Sequence, residues 1–103
     1  MSRLLDDTEI TRQLTDLSGW TRDGDALVAT IEAPDFPAAI RLVDAVAEVA
    51  EQLNHHPDID IRWRRTTWRL SSHEAGGITQ LDIELAHRIG ECAEAKGATF
   101  STR

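Results

Sequence analysis

An α+β domain, with three helices on one face of a four-stranded antiparallel sheet in the order α-β-β-α-β-β-α, is the fold class this sequence predicts. Two patterns carry that reading: apolar residues recur at three-and-four spacing in three stretches, and two pairs of short stretches alternate apolar with polar around turn residues. The length carries the rest. With 103 residues the chain is one domain, 1–103, because neither half alone would bury enough apolar surface to offset the entropy of ordering its backbone.

Ile10, Leu14 and Leu17 share one helical face between Thr8 and Leu17, and Gly19 supplies a stop. That is a short first helix. Trp20–Arg22 and Ala26–Ile31 flank Asp23-Gly24-Asp25, with Leu27, Ala29 and Ile31 alternating along the second arm, which reads as a β-hairpin. Pro34-Asp35 opens a long helix whose apolar stripe is Phe36, Ile40, Val43, Val46, Ala47, Ala50 and Leu53, and Pro57 forbids its continuation. Two histidines stand at its end. Ile59, Ile61 and Trp63 then alternate with charged residues, as do Trp68, Leu70 and Ser72 with polar ones, giving two more strands joined near Arg64 to Thr66. After Gly76-Gly77, Thr79 and Asp82 have the spacing of a capping box, and Leu81, Leu85, Ile89, Cys92 and Ala93 form the stripe of a last helix. The ends, residues 1–7 and 98–103, are expected to fray.

A formal charge of −7 surrounds the molecule with a field of the wrong sign for neutralising phosphates, which argues against direct nucleic-acid binding. No apolar run approaches the roughly 20 residues of a bilayer span, and the first residues lack the apolar region of a signal peptide. No membrane partner and a cytoplasmic location follow as expectations. The lone Cys92 lies among helix formers and reads as a packing residue. A domain this small gains from pairing with copies of itself, so a homodimer or homotetramer is expected.

Three of the four histidines fall at element ends, where side chains reach a ligand: His55 and His56 after the long helix, His73 after the fourth strand. An imidazole, with an ordinary pKa of about 6.5, gives or takes a proton near neutrality, and two adjacent ones resist being charged together. One protonated and one neutral ring would then stand side by side. Taken singly, each residue has an ordinary explanation. A histidine at a helix C-terminus complements the dipole, Glu51 solvates a helix face, Asp82 caps, Trp63 packs with Ile59 and Ile61, and His87 is a polar helix residue.

The whole spacing is less ordinary: Glu51, three residues, His55-His56-Pro57, five residues, Trp63, nine residues, His73, eight residues, Asp82. This run resembles the signature of the pterin-4a-carbinolamine dehydratases at every fixed position. The likeness extends from Gly19-Trp20 through Asp35-Phe36 and Ala50–Pro57 to Leu70–Glu74, Gly77-Ile78-Thr79 and Leu85-Ala86 with Ile89. Gln52 stands where that family commonly has lysine, and of an aromatic-rich helix start only Phe36 remains.

The resemblance implies removal of water from a tetrahydropterin bearing a hydroxyl at C4a and a proton at N5, with His55, His56 and His73 as the acid-base set. It makes Asn54, His55, His56, Ser71, Ser72, His73 and Glu74 the pterin-holding lining, with Glu51, Trp63 and Asp82 in support. No metal and no organic cofactor is expected, because the N5 lone pair itself expels the leaving group. Two other readings compete. Three histidines with Glu51 and Asp82 have the chemistry of a zinc site, but consecutive histidines diverge and zinc-motif spacings are absent. Animal members of that family also serve as dimerisation cofactors of a transcription factor, so a binding module without catalysis is the second.

Overall fold

The computed structural model describes residues 3–101. Three helices, α1 (Asp7–Leu14), α2 (Phe36–Leu53) and α3 (Gln80–Ala95), combine with five strands, β1 (Thr21–Asp23), β2 (Ala26–Glu32), β3 (Asp58–Arg62), β4 (Arg65–Leu70) and β5 (Thr99–Phe100). The sheet is antiparallel in the order β1-β2-β4-β3. This is the expected α+β arrangement with one strand more.

The additional strand is β5, which pairs Phe100 with Ile31 and Thr99 with Glu32. Because β4 occupies the other edge of β2 over Leu27–Glu32, β5 lies on the same side as β1. Its anchor is Phe100, edge-on to Trp20 at 6.2 Å. Gly19, at φ +90°, lies under that ring, and a Cβ there would collide with it. The ends expected to fray are thus tied down where they are described. Leu5 N–H donates to Ile78 O (2.9 Å), Asp6 caps α1, and Ser101 N–H donates to Thr30 O (2.8 Å). Residues 1, 2, 102 and 103 lie outside the described residues.

The core sits between one sheet face and the helices. Leu27, Ala29 and Ile31 of β2 and Thr66, Trp68 and Leu70 of β4 point into it, opposite Leu42 and Val46 of α2 and Ile83, Leu85 and Ile89 of α3. Trp68, fully buried, donates its indole N–H to Thr66 Oγ1 (2.8 Å), and that hydroxyl donates to Ile31 O (3.3 Å). No donor is stranded there.

Two expectations need correction. In α2 the buried residues are Ala38, Ala39, Leu42, Val46, Val49 and Ala50, whereas Phe36 and Ala47 are exposed. The helix is apolar around much of its circumference, so periodicity alone does not choose the inward face, and the alanines permit the closest approach. In β3, Ile59 and Ile61 share the core-side face by register, opposite Trp68 and Thr66. Yet β3 is the edge strand, and both remain exposed.

Candidate active site

The site begins where α2 stops. Asn54 adopts the left-handed conformation (φ 51°), its N–H donates to Glu51 O (3.2 Å), and His55 N–H donates to Ala50 O (3.0 Å). Asparagine tolerates that cap, and Pro57 keeps the chain from re-entering a helix. The cap sends the next two side chains apart. His55 turns inward, its side chain 11% exposed, and its Nε2 meets Asp82 Oδ1 at 2.6 Å. His56 turns outward, 56% exposed, and its Nε2 meets Oε2 of Glu51 at 2.6 Å. A carboxylate only accepts, so in each pair the ring N–H is the donor.

His73 comes from the turn after β4. Ser72 N–H donates to Gly77 O (2.8 Å) and Gly76 N–H to Ser72 O (2.9 Å), closing a tight loop in which Gly76 takes φ +82°. Ser71 Oγ donates to Asp25 O (2.8 Å), which pins the loop to the β1–β2 hairpin. His73 and Glu74 project from it into solvent.

Asp82 is the most constrained polar residue of the region, with no exposed surface. It is the third residue of α3, and the capping box expected with Thr79 is present: Thr79 N–H donates to its Oδ2 (2.9 Å). Ser72 Oγ also donates to Oδ2 (2.9 Å), and His55 occupies Oδ1. A buried carboxylate is tolerable when so fully satisfied, and the N-terminal end of a helix favours its charge.

A cleft of about 670 Å³ collects the predicted residues. Asn54, His55, His56, Ser71, Ser72, His73 and Glu74 all line it, joined by Leu53, Ala75 and Leu81. Those three apolar members had no mark in the sequence beyond membership of helix stripes or a loop. Glu51 and Asp82 adjoin the cleft through the histidines they hold. Trp63 does not. It sits in the β3–β4 turn at φ 60°, 71% exposed and stacked under Arg64, a strand length or roughly 17 Å from the histidines. It walls no pocket. His87 is exposed on α3 outside the lining, and burial pushes the Cys92 thiol up, which makes it a poor nucleophile.

Among the described residues no three His, Cys, Asp or Glu side chains gather in a way that would hold a metal ion, and no helix is long and apolar enough to cross a membrane. The chemistry on offer is proton transfer. Two imidazoles are oriented by carboxylates, one dry and one wet, and a third projects from the loop facing them.

Residues 3–92 match the family description "Pterin 4 alpha carbinolamine dehydratase". Two curated relatives that carry the pterin-4-alpha-carbinolamine dehydratase name are similar along nearly their whole length. The one from Nocardia farcinica is 56% identical over 92 residues, covering 89% of this chain and 97% of its own. The one from Roseiflexus castenholzii is 53% identical over 91 residues, covering 88% and 98%. Among solved structures, a transcriptional coactivator/pterin dehydratase from Brucella melitensis superposes with a TM-score of 0.84 at 30% identity, over 86% of this chain and 97% of that one. A pterin dehydratase-like RuBisCO assembly factor of the alpha-carboxysome shares the fold, with a TM-score of 0.60 at 17% identity over 72% and 86% of the two chains.

Proposed function

The chain belongs to the pterin 4 alpha carbinolamine dehydratase family, and from that premise we propose that it removes water from a 4a-hydroxytetrahydropterin to give the quinonoid dihydropterin. His55, His56 and His73 form the acid-base set. The observation that carries the reading is the single cleft lined by all three, with Nε2 of His55 anchored on buried Asp82. One imidazole protonates the departing C4a hydroxyl and another takes the N5 proton, each step worth about 10² to 10⁴ in rate when well placed. Asn54, Ser71, Ser72 and Glu74 complete the polar lining for the heterocycle, and Leu53, Ala75 and Leu81 receive its flat face. The reaction needs neither metal nor organic cofactor.

The protein works in the cytoplasm as a homodimer or homotetramer, and the edge strand β3 with exposed Ile59 and Ile61 supports self-association. A monomeric mass at micromolar concentration would remove that part. A binding role without catalysis is the second reading, favoured by the coactivator half of the Brucella protein's name and by exposed Phe36 and Trp63. The deciding experiment is to add purified protein to freshly generated carbinolamine. Accelerated loss of water, reduced about 10²-fold by His73→Ala, supports the enzyme. Rates equal to buffer alone leave the binding module.

A further inference from the structure

Behind the cleft, the hydroxyls of Ser72 and Thr79 are buried and bonded to each other (2.8 Å), and Ser72 is also bonded to Asp82. Counting protons gives this chain of bonds a direction. The Asp82 carboxylate has none to donate, so the single hydroxyl proton of Ser72 goes to its Oδ2 at 2.9 Å. Ser72 Oγ can then only accept from Thr79, whose hydroxyl must be the donor. Thr79 Oγ1 in turn accepts from Leu81 N–H (3.2 Å) in the first turn of α3. From the helix the run is therefore Leu81 N–H to Thr79, Thr79 to Ser72, and Ser72 to Asp82 Oδ2, while Asp82 Oδ1 takes the proton on His55 Nε2 (2.6 Å).

We propose that Ser72 and Thr79 are positioning residues, which lock the Asp82 carboxylate so that His55 keeps its proton on Nε2 and presents only Nδ1 for proton exchange with substrate. The inference rests on reading the cleft as a dehydratase site, and it assigns Ser72 a role through Asp82 beyond lining the cleft. Thr79 N–H alone gives Oδ2 one fixed bond, about which the carboxylate can turn. The Ser72 hydroxyl is the second point that stops the rotation. Without it Oδ1 drifts off the Nε2–H axis, and both neutral tautomers of His55 become populated.

The test uses full-length protein carrying ¹⁵N-histidine, with ring-nitrogen spectra and steady-state kinetics measured on the same samples. In the wild type the neutral His55 ring carries its proton on Nε2. Ser72→Ala is expected to show mixed tautomers and a kcat lowered about tenfold, with KM within about twofold. Ser72→Thr, which keeps the donor, is expected to recover kcat to within about threefold and the single tautomer with it. If Ser72→Ala does not fold, Ser72→Cys keeps the side-chain shape with a slightly larger atom and weakens the donor, and the same mixing is expected. A His55 spectrum unchanged in the alanine or cysteine variant overturns the inference, as does a loss confined to KM or one that Ser72→Thr leaves in place. Should the wild type fail to dehydrate carbinolamine, the proposed function falls, and the His55 spectrum still decides the role of Ser72.

Discussion

Two helices of this molecule start with the same device and put it to different use. In α1, Asp6 caps and Glu9 reaches back to the Asp6 N–H at 2.9 Å; in α3, Thr79 caps and Asp82 reaches back to the Thr79 N–H at 2.9 Å. The difference lies in the carboxylate's remaining oxygen. Oε2 of Glu9 meets the Arg3 guanidinium at 3.0 Å on the surface, whereas Oδ1 of Asp82 meets His55 at 2.6 Å with no surface exposed. An exposed ion pair is worth little because water competes for both partners. A buried carboxylate bonded on every side fixes whatever it touches. The capping box is therefore a local motif, and burial decides whether it also builds a site.

The sharpest way to break this comparison is to neutralise both third-position acids. Asp82→Asn should lower turnover about 10²-fold or more and cost about 2–4 kcal/mol of stability, because one of the two oxygens that accept from His55, Ser72 and Thr79 becomes an amide NH₂, which sets a donor against a donor. Glu9→Gln should leave turnover unchanged and move the melting temperature less. Equal effects of the two on activity would show that burial of the α3 box carries no special consequence.

Next in size are the histidines on the cleft side of that box. His56→Ala and His73→Ala should each lower turnover by about 10², and the double variant should cost much less than the sum of the two free energies if the rings act as one unit. Additive losses would mean separate tasks, such as binding for one ring and proton transfer for the other.

Glu51 offers a smaller contrast, since its bond to His56 has the same 2.6 Å length as the Asp82 bond but stands in water, with side chains 77% and 56% exposed. Glu51→Gln should change turnover only a few-fold, and added salt should erase the difference, because screening acts on exposed pairs and spares buried ones.

The smallest effect belongs to α1 and to pH. Bonds from Arg3 first, and from the Asp6 N–H after them, hold the Glu9 carboxyl down at about 2, below its ordinary 4.5. A carboxyl lowered in the folded state adds stability that is complete above 4.5 and lost as pH falls through about 2. Acid melts of Glu9→Gln should therefore lose part of the wild type's pH dependence between those values. A curve parallel to the wild type's across that window would contradict the pairing.

The three histidines were legible as residues at the ends of elements whose periodicity was plain, whereas the lining runs Asn54–His56 and Ser71–Glu74 came from the family resemblance. Asp82 was legible as a cap through Thr79, but nothing local records what meets its second oxygen. That partner is 27 residues away in sequence, at the end of another helix. The place of Trp63 outside the cleft was not legible for a related reason. Alternation assigns a face to a strand residue, not a neighbour, and Trp63 sits past the last residue of an edge strand. The β5 strand is two residues long, too short for any period, and the packing of its Phe100 over Gly19 and against Trp20 exists only in three dimensions. The α1 capping box lies in Asp6-Asp7-Thr8-Glu9, inside a stretch expected to fray.

Proton transfer by His55 from its seat on Asp82 is tested most directly by stopped-flow decay of freshly generated carbinolamine with wild type beside His55→Ala. Decay well above the buffer rate is expected for the wild type, and a loss of about 10²-fold or more in a variant that remains folded. Equal decay with wild type and His55→Ala would contradict it.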